Sequence, residues 1–383
     1  MKIILSFIDW YLPGYRAGGT LKAFANQVAH LEGIYHFKIV TRDTDYCETV
    51  PYDSVESNKW NKIAPNADVY YLSSDKISYA NLKEIVFSTH FDAVYIHGIY
   101  SFNFSILPVI LAKRKGTQRI VLTSHGMLGR HSLSVKGFKK NLFIQMARLT
   151  GFYKGVVFHA ANEAEANDIR ITIGKTSNVI VAEELPMKVS LKEWNPRDKH
   201  EHELKLVSIA RISPEKNTRF ALEILQECHE GKIIYDIYGP VYNDAYWKEC
   251  QEIINKLPDN VTVKYHGSLP GEKVLDTLSN YHFMFMPTTG ENFGHIILES
   301  FLAATPVLIS DKTPWLNLEN KQVGWDLPLD NKHLFVSKIN AMAALSQQNF
   351  NVLSQKALEI ADEFLKNKDI LNQNIRLFED EQN

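Results

Sequence analysis

Short apolar runs recur along the chain, separated by longer mixed segments. In the first half they are Lys2–Phe7, Phe37–Thr41, Val69–Leu72, Ala93–His97, Arg119–Ser124 and Val156–Ala160. These runs are rich in Ile and Val and do not alternate strictly, the pattern of parallel strands buried on both faces. Helical spacing fills the intervals, as in Thr20–Leu31 and Gly137–Thr150. A second series follows, with strands expected at Lys205–Ala210, Ile233–Tyr238, Val261–Tyr265, Phe283–Pro287 and Pro306–Ser310. Its helices are expected at Thr218–Glu230, Asp244–Lys256 and Gly294–Ala304. The tail Val352–Phe378 spaces Leu353, Ala357, Ile360, Ala361, Phe364, Leu365, Leu371, Ile375 and Phe378 as one amphipathic helix.

Strands alternating with helices imply βαβ units and parallel sheets, so the fold class is α/β. Pro186–Leu204, polar with two prolines, interrupts the pattern and reads as a linker. The expected division is a Rossmann-like domain over 1–190, a second over 191–360, and a terminal helix over 361–383 that packs back on the first. Ligands bind at the C-terminal ends of such strands. Two sheets in tandem therefore predict an active site in a cleft between domains.

Composition narrows the class. The chain has 383 residues, 45% hydrophobic and 22% charged, which excludes a disordered chain or a disulfide-built miniprotein. No apolar run is long enough to span a membrane as a helix. Asp9 follows the first apolar run at once, so the N-terminus reads as a buried strand and not a signal peptide. Cys47, Cys228 and Cys250 are widely spaced, with no CxxC. They point to a reducing, cytoplasmic setting and away from a zinc site.

Charge divides the chain further. Residues 1–190 carry 22 Lys and Arg against 16 Asp and Glu; residues 191–383 carry 20 against 28. From Ala93 to Asn162 there is no acid and there are ten cations: Lys113, Arg114, Lys115, Arg119, Arg130, Lys136, Lys139, Lys140, Arg148 and Lys154. This is either a solvated basic face or a surface for an anionic substrate or membrane. Lys136, Lys139 and Lys140 are the membrane candidates. No nucleic-acid motif accompanies the charge.

Three constellations carry candidate chemistry. Thr288-Thr289-Gly290-Glu291-Asn292-Phe293-Gly294-His295 follows an apolar strand and opens an apolar helix that contains Glu299. Free N–H groups and the dipole at such a helix start favour an anion. Carboxylates on either side accept hydrogen bonds from hydroxyls, so the set suits a diphosphate flanked by hydroxyl-rich groups. The plain alternative is that Glu291 caps the helix and Glu299 is a surface acid. In Ser208-Ile209-Ala210-Arg211-Ile212-Ser213-Pro214-Glu215-Lys216-Asn217, Arg211 offers a fork and Lys216 a point charge to phosphate. An Arg211–Glu215 loop salt bridge is the alternative there. Pro13-Gly14-Tyr15-Arg16-Ala17-Gly18-Gly19-Thr20 is a Gly-rich loop before a helix that matches neither a Walker A loop nor GxGxxG.

These pieces, in this order, resemble the retaining GT-B glycosyltransferases of family GT4. The resemblance rests on Glu291 and Glu299, separated by seven residues, and on Arg211 and Lys216 in ARISPEKN. Tyr238-Gly239-Pro240, His266-Gly267-Ser268-Leu269 and Gly18-Gly19 support it. Ser124–Leu128, His159-Ala160 and Thr313-Pro314-Trp315 look like a branch that builds bacterial surface polysaccharide. The resemblance implies two Rossmann-like domains facing each other across a cleft, the second binding a nucleotide sugar and the first the acceptor. It implies that Glu291 contacts donor-sugar hydroxyls and Glu299 the ribose, while Arg211 and Lys216 stabilise the leaving diphosphate. His125 would face the sugar, though a lone His there is equally a packed strand-end residue. Gly18, Gly19, Gly239, Ser268, Leu269, Asn292, Phe293, Gly294 and His295 would line the donor site.

The implied donor is a UDP- or GDP-sugar, and the implied acceptor a hydroxyl of a glycan or polyprenyl-linked oligosaccharide. No DxD pair ends a strand, so no metal or other cofactor is expected. The implied location is cytoplasmic, with peripheral attachment to the inner face of the membrane. An epimerase or phosphorylase on the same fold, or a non-catalytic sugar-nucleotide binder, is the alternative.

Overall fold

The computed structural model describes residues 1–129 and 137–379, which fall into two compact units. Unit 1 comprises Met1–Lys188 together with the C-terminal residues from Asn367 onward; unit 2 is Val189–Lys366.

Unit 1 contains strands β1 (Lys2–Phe7), β2 (Tyr35–Arg42), β3 (Trp60–Ala64), β4 (Ala67–Leu72), β5 (Ala93–His97), β6 (Arg119–Thr123), β7 (Val156–Ala160) and β8 (Asn178–Val181). They form one sheet in the order β3-β4-β2-β1-β5-β6-β7-β8. Every pair is parallel except β3 with β4. Helices α1 (Gly19–His30), α2 (Tyr79–Ser88), α3 (Leu107–Lys115), α4 (Gly137–Leu149) and α5 (Glu163–Thr172) complete the βαβ units. Strands β5, β6 and β7 are buried at every residue, as their unbroken apolar runs require.

Unit 2 contains β9 (Glu203–Ile209), β10 (Lys232–Tyr238), β11 (Val261–Tyr265), β12 (Phe283–Met286), β13 (Val307–Ser310) and β14 (Gly324–Leu327). All pairs are parallel, in the order β11-β10-β9-β12-β13-β14. This is the doubly wound order, with its switch point between β9 and β12. Its helices are α6 (Thr218–Leu225), α7 (Asp244–Ile254), α8 (Val274–Leu278), α9 (His295–Leu302), α10 (Lys332–Ala343) and α11 (Gln347–Lys366).

The single tail helix expected from the sequence is two. Asn367 breaks it, its side-chain oxygen accepting from the Asp369 N–H at the start of α12 (Lys368–Arg376). Helix α11 buries Phe350, Ala357 and Ala361 in unit 2, whereas α12 and the following turn bury Ile370, Leu377 and Phe378 in unit 1. Arg119 holds this end: its guanidinium donates to the carbonyls of Leu377 at 2.9 Å and Arg376 at 3.1 Å. Cations stabilise helix C-termini. Arg119 is therefore a buried structural cation and not part of a basic surface. Arg130 and Lys136 lie outside the described residues.

Candidate active site

The candidate residues of unit 2 gather at its switch point. Beyond the end of β9 the chain stays paired with the end of β10. Ala210 N–H donates to Tyr238 O at 2.9 Å and Ile212 N–H to Pro240 O at 3.0 Å. The approach is tight enough to demand glycine at 239, where φ is +142°. A Cβ there would lie 1.8 Å from the Ala210 carbonyl oxygen. This pairing fixes where Arg211 leaves the sheet. The chain then turns through Ser213–Asn217 into α6. Asn217 takes the left-handed conformation that Asn tolerates.

The Glu215 carbonyl locks this turn to the loop after β12. It accepts from Thr289 N–H at 2.8 Å, Thr288 Oγ1 at 3.0 Å and Thr289 Oγ1 at 3.1 Å. Lys216 is thereby carried onto Glu291, and the two form an ion pair whose side chains are 18% and 11% exposed. Glu291 N–H also donates to Lys312 O, 3.0 Å away, beyond the end of β13. Loops from three parallel strands thus meet at Glu291, one at its carboxylate and one at its backbone N–H.

Glu291 does not cap α9; Gly294 occupies that position, in the left-handed conformation, with no side-chain cap. The first-turn amides and the dipole of α9 favour an anion. Glu299 is buried, 4% exposed, which removes the surface-acid alternative. Arg211 pairs with Glu215 at 3.5 Å, and both are substantially exposed. Such a pair contributes little, so a phosphate can compete for the guanidinium. Both readings of Arg211 are therefore compatible.

The remaining unit 2 candidates are held by packing. Phe293 is buried against Trp315, Phe364 and His295, and its carbonyl accepts from Trp315 Nε1 at 2.6 Å. Asn292 lies beside it, half-buried. Ser268 and Leu269 follow β11; Gly267 just before them accepts from Gly239 N–H at 2.7 Å, and Leu269 packs on the core. Tyr238 stacks on His266 with ring centroids 4.6 Å apart, and His266 Nε2 lies 3.1 Å from Asp236.

The unit 1 candidates sit on the C-terminal edge of its own sheet. Gly18 caps α1 with φ +81°, while added Cβ atoms at Gly18 and Gly19 would meet nothing within 4 Å. Backbone angle accounts for Gly18; close packing accounts for neither. The preceding loop is held by Asp45, whose carboxylate accepts from Tyr15 N–H at 3.0 Å and Arg16 N–H at 3.3 Å. Arg16 also pairs with Glu48.

His125 is turned inward. Its Nε2 lies 3.1 Å from His97 Nδ1, its Nδ1 is 3.9 Å from Glu184, and its ring stacks on His97. Burial, followed by repulsion from His125 and His159, holds His97 well below the ordinary histidine pKa. The loop carrying His125 is organised by Glu165. That buried carboxylate accepts from Ser124 Oγ at 2.6 Å, Gly126 N–H at 2.7 Å and Ala161 N–H at 2.8 Å. Sequence reasoning missed Glu165. The signal was its spacing from Asn162, which caps α5 by accepting from Glu165 N–H.

Comparison with known proteins finds a family match over part of the chain. Residues 192–352 match the family described as Glycosyl transferases group 1. Over 164 residues the chain is 29% identical to alpha-monoglucosyldiacylglycerol synthase of Streptococcus pneumoniae, covering 41% of this chain and 36% of that protein. The chain thus matches well under half of that relative's length. Among solved structures, sucrose-phosphate synthase from Thermosynechococcus elongatus aligns with a TM-score of 0.71 at 13% identity, over 99% of this chain and 98% of that one. Anabaena HepE in complex with UDP and glucose aligns with a TM-score of 0.67 at 14% identity, over 98% of each chain. These two likenesses show the fold, which is GT-B.

Proposed function

We propose, starting from the group 1 glycosyl transferase domain in residues 192–352, that this chain moves a sugar from a nucleotide diphosphate sugar to a hydroxyl acceptor. One observation carries the reading: at the switch point of unit 2, Lys216 is paired with Glu291 just before the uncapped start of α9. Cations and helix amides there suit a diphosphate, and the carboxylate suits sugar hydroxyls. HepE is described with UDP and glucose, which supports a UDP-sugar; a GDP-sugar is the other donor to test.

In this reading the bond from the anomeric carbon to the diphosphate oxygen breaks through an oxocarbenium-like transition state. Arg211, Lys216 and the α9 amides stabilise the charge left on the diphosphate. The acceptor oxygen attacks the same face, giving retention as in family GT4. Its proton passes to the departing phosphate oxygen. Glu291 orients the sugar and is not a nucleophile, and Glu299 holds the ribose. Unit 1 serves the acceptor, while its Gly18 and Gly19 line the donor site and its His125 faces the transferred sugar. The acceptor in this reading is a glycan or lipid-linked oligosaccharide of surface polysaccharide assembly; the streptococcal relative, named alpha-monoglucosyldiacylglycerol synthase, supports the lipid part of it. The corresponding location is the cytoplasmic face of the membrane.

A thermal-shift screen with UDP, GDP, ADP and their sugars tests the donor. Ligand at 100 times its Kd stabilises by about 2.7 kcal/mol. Arg211→Ala and Glu299→Ala should fold but lose most transfer from the donor that binds. Wild-type turnover by both variants would remove the site assignment.

A further inference from the structure

Helix α4 carries a second feature that donor chemistry does not use. Its buried side is Ile144 and Ala147, with Phe143 packed against the unit 1 core. On another side it exposes Phe138 (83%), Leu142 (49%), Met146 (57%) and Leu149 (88%). At about 100° per residue these four fall within an arc of about 80°, and the stripe runs for about 16 Å along the helix. Phe138 and Leu149 are the most exposed large apolar side chains among the described residues. Scattered exposed apolar residues are ordinary, but four aligned on one helix face are not.

Charge identifies the partner. Helix α4 contains Lys139, Lys140 and Arg148 and no acid, and it lies in the acid-free segment from Ala93 to Asn162. Lys139 borders the stripe on one side. Arg148, with Asn141 and Gln145, borders it on the other, and all four are exposed. Lys140 points elsewhere, its ammonium over the Tyr100 ring at 5.2 Å. An apolar stripe flanked by cations is the pattern of a helix lying in a membrane interface, its apolar side chains in the acyl boundary and its cations at anionic headgroups. A helix of 13 residues is too short to span.

We propose that α4 lies in the surface of an anionic lipid bilayer, inserting Phe138, Leu142, Met146 and Leu149 while Lys139 and Arg148 meet the headgroups. The inference takes its partner from the membrane reading of the basic segment and replaces purely electrostatic contact with insertion. It does not depend on the donor assignment.

Flotation of the full chain tests it, using phosphatidylcholine vesicles with and without phosphatidylglycerol, at low and high salt. The wild-type protein should float with the phosphatidylglycerol vesicles and keep a measurable part of that binding at high salt. Leu142→Ser with Met146→Ser should weaken binding at least about tenfold, since each lost apolar side chain removes insertion energy. This double variant should retain the wild-type melting temperature, because both positions are exposed. Lys139→Glu with Arg148→Glu should weaken binding mainly at low salt. Wild-type flotation by the serine variant overturns insertion and leaves the electrostatic reading in place. No flotation of the wild type overturns both. Self-association of the wild type that the serine variant abolishes, without lipid binding, assigns the stripe to a second copy and also overturns the proposal.

Discussion

Lys216 and Glu291 are 75 positions apart in sequence and form an ion pair shielded from most solvent. The pair explains why two separate motifs belong to one site. It also sets a constraint: a diphosphate that draws Lys216 away must leave Glu291 with another partner, such as a sugar hydroxyl. Under the proposed function, donor binding and the pair are coupled. Lys216→Met and Glu291→Gln should each lower transfer by about 100-fold or more, the scale for losing one electrostatic contact to a transition state. The double variant should lose less than the product of the two, because each single variant strands its partner. Initial rates with labelled donor measure this; strict multiplicativity would argue that the pair is not functionally joined.

Gly239 is required by distance as well as by backbone angle. Gly239→Ala would drive a methyl into the Ala210 carbonyl and displace the segment that positions Arg211. Unfolding in urea should show a loss of more than about 1 kcal/mol, the scale for a side chain forced into an incompatible conformation. An unchanged midpoint would show that the β9–β10 ends are looser than their hydrogen bonds indicate.

Acid sensitivity in unit 2 should trace to His282. Its Nδ1 accepts from Lys205 N–H at 3.0 Å and its Nε2 donates to Asp198 O at 3.0 Å, which defines a neutral ring. Burial pushes its pKa down to about 4, against the opposing hydrogen bond to Asp198 O. Below the unfolded value of about 6.5 the unfolded chain binds the extra proton and the folded one does not, so stability falls as pH drops toward about 4. About 2 kcal/mol should be lost by pH 5. His282→Gln can keep both hydrogen bonds without titrating, so its urea midpoints should change less between pH 7 and pH 5. Equal pH slopes in the two proteins would exclude this assignment.

Glu165 should govern the loop that carries His125. Glu165→Gln places an amide N–H₂ against donors that now meet a carboxylate. A loss of about 1–3 kcal/mol is expected for stranded buried donors. Amide exchange at Gly126 should quicken in the same variant. Unchanged exchange there would assign the loop's order to other contacts.

The local pattern of the chain determined the interior strands. A strand buried on both faces must be apolar at successive positions, so β1, β5, β6, β7, β12 and β13 stand out as runs. The residue types at the strand ends likewise suggested an anion site, but the sequence left open that Glu291 caps the helix and that Arg211 pairs only with Glu215. Tertiary structure decided the rest. Strands β3, β8 and β14 are sheet edges with mixed burial, and an edge needs no continuous apolar run to mark it. One amphipathic tail became two helices because α11 and α12 serve different units, and periodicity does not name the surface a helix packs on. Only the assembled structure shows that Lys216 finds Glu291, that His125 faces His97, and that Arg119 is spent on the carbonyls that end α12. Local spacing encodes which side of an element is buried. It does not encode which distant partner that side meets, because the partner is set by sheet order.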